Sequence, residues 1–191
     1  MFLDQCGDWL VAQMAKTTRP KTILEFLRDH PKFSINGAVC SVEFAFTNRC
    51  PFCEYDQETN NVVLRYDPHV VQEARIKEAL KKFAKTCLAE RLAYLCDLKG
   101  IDGPSRVTVR DQSSRWGSCS SSRGISLNWR LILLPVHLQD YVILHELAHL
   151  KEMNHSKSFW NLLTTYDSKT KLHDKQLGEK GRAIIALGNA S

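Results

Sequence analysis

Apolar residues recur along this chain with two periods, and the points where one period gives way to the other outline its elements. Phe2, Leu3, Cys6, Leu10 and Met14 fall at near-helical spacing, which predicts an amphipathic helix from Phe2 to about Lys16. Ile23 to Leu27 predicts a further helical turn before Pro31. From Phe33 the period shortens to two. Phe33 to Ile35 and Val39 to Phe46 flank Asn36-Gly37, a dipeptide that suits a tight hairpin because both residues accept positive φ. A second strand pair is expected at Phe52 to Tyr55 and Val62 to Tyr66, turning through Gln57 to Asn61.

Past Asp67-Pro68 the helical period returns. Ile76, Leu80, Phe83, Cys87, Leu88, Leu92 and Leu95 form one stripe, predicting a long helix from His69 to about Leu98. Gly100 and Gly103 supply its stop, and Glu78 is placed to pair with Lys82 one turn on. Arg106 to Arg110, the stretch from Asp111 to Cys119 and Ile125 to Trp129, the last two joined by a turn around Ser120 to Gly124, predict two or three antiparallel strands. A further helix opens near Pro135 with Val142, Ile143, Leu144, Leu147 and Leu150 to bury. The expected class is α+β: a small antiparallel sheet packed on that helix and on the long scaffold helix, with a β-rich N-terminal extension. One domain over residues 1–191 is expected, made of a helix plus β-rich part (1–68) and a core (69–191).

Composition narrows the class. With 191 residues, 43% of them apolar and 25% charged, the chain can bury a sizeable core. Its net charge of +5 permits a nucleic-acid or phosphate partner, but the basic residues are spread over several segments and no DNA-reading motif is present. No stretch approaches the roughly 18 apolar residues of a membrane helix, so no membrane is expected. Seven cysteines is an odd number, and Asp4 and Asp8 interrupt the short apolar N-terminal stretch, so free thiols in a reducing, cytoplasmic setting are expected. Cys50-Pro-Phe-Cys53 lacks both a second pair to complete a zinc ribbon and the strand-to-helix context of a redox pair, and is expected to be inert.

The chemistry-bearing stretch is His145-Glu146-Leu-Ala-His149, six residues ahead of His155. Residues four apart on a helix lie about 40° from each other around the axis, so His145 and His149 can aim at one point. Glu146 sits where its carboxylate reaches a metal-bound water. A third ligand from His155 requires the helix to end near Met153 and the chain to turn back, with Asn154 expected in the left-handed region and Ser156 capping a new helix. Glu152 and Glu179 are the rival third ligands. Three neutral nitrogens would leave Zn²⁺ a fourth position for water.

Ser114-Arg115-Trp116-Gly117-Ser118-Cys119, Asn128-Trp129-Arg130-Leu131, Asp140-Tyr141-Val142, the histidine motif, Asn154-His155-Ser156 and Phe159-Trp160 together resemble the YgjP-like metallopeptidase family, itself distantly similar to SprT-like zinc proteases. The resemblance implies a compact zincin fold, His145, His149 and His155 as zinc ligands and Glu146 as catalytic acid and base. Metzincins share the histidine spacing, but Glu152 stands where they have glycine and no methionine follows Met153.

The first functional reading is a metallopeptidase whose peptide or protein substrate adds as an edge to the strand from Gly124 to Asn128. That pose predicts contacts with Arg115, Ile125, Ser126, Leu127 and Arg130. The alternative is a nucleoside triphosphate pyrophosphohydrolase on the same zinc, with Arg115, Arg123 and Arg130 as anion clamps. A binding module without turnover would not need Glu146. Tyr141, Tyr166, His173, Arg115 and Arg130 are the candidates for a second electrophile.

Overall fold

The computed structural model describes residues 22–188; the expected helix from Phe2 to Lys16 lies outside them. The N-terminal part is α1 (Ile23–Asp29) followed by four strands, β1 (Lys32–Ile35), β2 (Ala38–Phe46), β3 (Phe52–Asp56) and β4 (Asn61–Tyr66). A capping box opens α1: the Thr22 hydroxyl accepts from the Glu25 amide and the Glu25 carboxylate accepts from the Thr22 amide. Asn36 and Gly37 turn the first hairpin with φ of 50° and 84°. The sheet order is β1-β2-β4-β3, and β2 runs parallel to β4 while the outer pairs are antiparallel.

The scaffold helix α2 (Glu73–Lys99) starts later than the apolar stripe predicted, because Asp67 turns the chain by accepting the His69 amide. It stops at Gly100, which takes the left-handed conformation with φ of 60°. Ile76, Leu80, Leu88, Leu92 and Leu95 are buried along it, and Glu78 pairs with Lys81 one position short of the expected Lys82.

The second sheet comprises β5 (Arg106–Arg110), β6 (Gly117–Cys119) and β7 (Gly124–Asn128) in the order β5-β7-β6. It corrects the all-antiparallel expectation: β7 is antiparallel to β6 but parallel to β5. The β6–β7 hairpin folds back so that β7 enters between its two predecessors. β7 is therefore the central strand, not an edge open to a peptide.

A 3-10 turn (Trp129–Leu133) leads into α3 (Val136–Ala148), with Pro135 at the N-cap position. α4 (Lys157–Tyr166) and α5 (Thr170–Ile185) then pack against α3. A single buried cluster runs from Ile23 to Leu187 through both sheets and the helices, in an α+β arrangement. Among the described residues no helix is long and apolar enough to cross a membrane.

Three polar ties set α3 in place. Arg91 of α2 grips Asp140 through two bonds of 2.8 and 2.6 Å, a fork-to-carboxylate pair that is largely buried. A Cβ on Gly37 would lie 2.5 Å from the Arg91 guanidinium, so the first hairpin turn rests directly on this pair. Gln139 donates to the carbonyls of Ser34 and Leu131 at 2.9 and 3.1 Å.

Candidate metal centre

α3 carries the His145-Glu146-x-x-His149 motif on its last turns, but ends at Ala148 with His149 as C-cap, earlier than the expected Met153. Asn154 is also not in the left-handed region, which among the described non-glycine residues holds Asn36, Asn60 and Arg123. The chain reverses instead through a loop of Leu150 to His155. The physical reason lies at His149, whose Nδ1 is 2.9 Å from the Glu152 carbonyl oxygen. A carbonyl only accepts, so Nδ1 carries the proton and Nε2 keeps a free lone pair. Glu152 thus orients a histidine through its backbone.

The reversal brings three imidazoles together. Their candidate donor atoms lie within 4.8 Å of one another, with His145 Nε2 and His155 Nε2 3.0 Å apart. Ser156 caps α4 by accepting the Phe159 amide, and this places the Phe159 ring beneath all three, at 4.9, 4.5 and 4.7 Å from the centroids of His145, His149 and His155. Burial and the neighbouring His149 and His155 push His145 down to about 4, and burial also lowers His149. Neutral imidazoles with free lone pairs are the form a metal binds. Among the described residues this is the cluster that could hold an ion; Glu179 lies outside it, on α5.

Glu146 is 6% exposed, and its Oε2 is buried without a hydrogen-bond partner. Burial raises its carboxyl to about 7, against the opposing pull of Arg115. Gly117 of β6 makes room for it: a Cβ there would lie 2.6 Å from both Cγ and Oε1 of Glu146. A cavity of about 170 Å³ beside them is lined by Trp116, Gly117, Tyr141, His145, Glu146 and Asp174, among others. Three converging imidazoles, an unsatisfied carboxylate oxygen next to them and an adjoining cavity fit a hydrolytic metal ion.

The other motif residues hold this wall together. Asn128 donates to the carbonyls of Gln112 and Arg115 at 2.7 and 3.0 Å, fixing the loop that delivers Gly117. Trp116 packs on Gly181 of α5, where a Cβ would come within 2.9 Å of its ring.

Several residues expected to face a substrate do not. Arg130 is fully buried, bonded to Asp111 at 2.6 Å and to the Leu187 carbonyl, and acts as an internal clasp. Ile125 and Leu127 are buried in the core beneath β7. Ser126 faces the opposite side of the sheet from the metal centre, with its Oγ unpartnered. Arg115 is exposed near Glu146. Arg123 is tied to Asp102 and the Gly103 carbonyl, so the three-arginine clamp of the phosphoanhydride reading is not assembled.

Among the second-electrophile candidates, His173 is held by Asp167 at 2.6 Å and the Tyr166 hydroxyl is buried without a partner. Tyr141 lines the cavity and donates to Asp174 at 2.9 Å. Asp174 escaped the sequence reading because it is 33 positions from Tyr141 and belongs to no local motif.

A family model of the YgjP-like metallopeptidase domain matches residues 1–180. Among solved structures the chain is similar to the metallopeptidase zymogen abylysin of Pyrococcus abyssi, with 26% identity over 50% of this chain and 96% of that one and a TM-score of 0.43. It is also similar to the metallopeptidase zymogen jannalysin of Methanocaldococcus jannaschii, with 21% identity over 49% and 95% of the two chains and a TM-score of 0.43. No curated protein matches the chain.

Proposed function

Since the chain belongs to the YgjP-like metallopeptidase family, we propose that it is a zinc-dependent peptidase in which His145, His149 and His155 hold the metal and Glu146 is the general base. The observation that carries this is the meeting of three imidazoles beside a buried carboxylate with an unpartnered oxygen. Zinc–nitrogen bonds of about 2.0–2.1 Å at a tetrahedral angle separate two nitrogens by about 3.3 Å. The 3.0 Å between His145 and His155 supports that ligand set.

Bound zinc would act as a Lewis acid, polarising the scissile carbonyl and acidifying water. Glu146 takes the proton of the attacking water and passes it to the leaving amine. Gly117 lets the carboxylate reach that position, which a Cβ would occupy. The Tyr141 hydroxyl on the cavity wall, whose one proton goes to Asp174, is the proposed donor to the oxyanion once that proton turns from Asp174 to the substrate oxygen. An extended substrate adds to the free edge of β6 instead of to β7, and the exposed Met153 and Trp160 near His155 offer it an apolar contact. The chain works as one domain over 1–191.

The test is cleavage of an unfolded protein by the zinc-loaded chain and by Glu146→Gln, with metal content measured on both. Cleavage lost at unchanged metal content supports the assignment, whereas cleavage kept in Glu146→Gln sinks it. A parallel incubation with nucleoside triphosphates tests the phosphoanhydride alternative by phosphate release.

A further inference from the structure

The sheet face turned away from the metal centre carries an array that the peptidase reading does not use. In the register of the second sheet, Thr108, Ser126 and Ser118 stand directly opposite one another across all three strands. Strand alternation puts Arg106 and Arg110 on the same face, two residues to either side of Thr108. These five and Arg115 line a groove of about 560 Å³ that contains no acidic residue. No ion pair or hydrogen bond engages the guanidinium of Arg106, Arg110 or Arg115 among the described residues. The groove floor is unsatisfied too: Ser126 Oγ and Gln112 Oε1 are buried without partners.

We infer that this groove binds the phosphodiester backbone of a nucleic-acid strand. A single phosphate would be held by guanidiniums converging on one point. Here Arg106 and Arg110 are four residues apart on one strand, about 13 Å, on a face about 10 Å wide across three strands. That footprint fits a line of successive charges and one backbone, not one compact anion. The Ser118 and Ser126 hydroxyls beside the arginines suit phosphate oxygens, which accept from both groups, while the Thr108 hydroxyl is directed to the Ile125 carbonyl at 3.5 Å. No aromatic residue lines the groove, so no base has a ring to stack on and recognition is by backbone, without sequence preference. The inference does not depend on the metal or on peptidase activity.

Fluorescence anisotropy with a labelled oligothymidylate of about ten nucleotides tests it, using the full chain. Three phosphate contacts on a single strand give a slope of about −2 in log affinity against log salt, or roughly a 20-fold loss from 50 to 200 mM. Arg106→Gln or Arg110→Gln alone should lower that slope by about 0.7, and the triple variant with Arg115→Gln should lose binding while keeping the circular dichroism of the parent. An oligoadenylate should bind within a few-fold of the oligothymidylate. Unchanged affinity in the triple variant, or equal affinity for a labelled polyglutamate of the same length, overturns the proposal.

Discussion

Replacing Gly117 by alanine tests the link between the second sheet and Glu146, the proposed general base. The new Cβ would lie 2.6 Å from both Cγ and Oε1 of Glu146, whereas ordinary contact begins at 3.4 Å, so about 0.8 Å must be found. Glu146, 6% exposed on a helix whose neighbouring turns carry the histidines, can yield only by swinging into the adjoining cavity and out of its present position. Nor can β6 withdraw easily, because Trp116 beside it is packed against Gly181 and the Trp116 carbonyl accepts from the Asn128 amide at 2.8 Å. Overpacking of this kind costs about 1–3 kcal/mol. For a chain of this size that lowers Tm by roughly 3–9 °C. A catalytic group displaced by about 1 Å costs about 10²-fold in rate. The expected variant keeps its metal, because no ligand moves, and loses both stability and peptide cleavage. Calorimetry, metal analysis and kcat/KM on the metal-loaded protein read these separately. A Gly117→Ala protein with parental Tm and kcat/KM would refute the argument.

The remaining predictions concern ligands, the Asp111–Arg130 pair and the thiols. His155→Ala should lose the metal and Glu179→Ala should retain it, as read by metal content after dialysis; the reverse result would remove His155 from the ligand set. Asp111→Ala takes from the fully buried Arg130 its bond to a partly exposed carboxylate while those to the Leu187 carbonyl and Asn128 stay, and should cost about 1–3 kcal/mol by denaturant unfolding, with no loss arguing against the clasp. Burial alone would raise the Asp111 carboxyl, but hydrogen bonds from Lys77, Arg130 and Trp129 bring it below the ordinary value. A depressed folded value means the stabilisation is complete above the unfolded range near pH 4 and is lost as pH falls through the folded value. Stability should therefore drop more steeply below about pH 4 in the parent than in Asp111→Asn, and parallel acid curves would contradict this. Desolvation pushes Cys53 and Cys87 to about 12, so a thiol reagent at pH 8 should label the exposed Cys50 and spare both until the protein unfolds. Rapid native labelling of Cys53 would show that the C-x-x-C pair is not inert.

How far the chain could be read depended on the distance over which each feature is determined. The Asn36-Gly37 hairpin, the stripe of α2, its Gly100 stop and the Ser156 cap are decided within a turn or a pair of strands, and all were legible. So was the placing of His145 and His149 on one helical face, which needs only the helical period. The YgjP-like resemblance added the remaining motif residues but not what they do. Asn128, Arg130 and Asp140 turned out to pin a loop, clasp the C-terminal segment and anchor α3.

Tertiary structure alone decided the rest. Residue pattern marks strands but not their order, because pairing depends on how the chain returns. The insertion of β7 between β5 and β6, which removed the expected substrate edge, therefore left no local trace. The end of α3 was misplaced because the capture of the Glu152 carbonyl by His149 competes with continuing the helix, and sequence spacing cannot weigh that competition. Arg130 shows the same limit for charge: an arginine reads as exposed until Asp111 and Leu187, 19 and 57 positions away, satisfy it inside. The three histidines, Glu146 and their spacing belong to the sequence. The reversal that brings in His155, the room that Gly117 leaves for Glu146 and the outward row of hydroxyls and arginines belong to the fold, since each joins segments that only packing brings together.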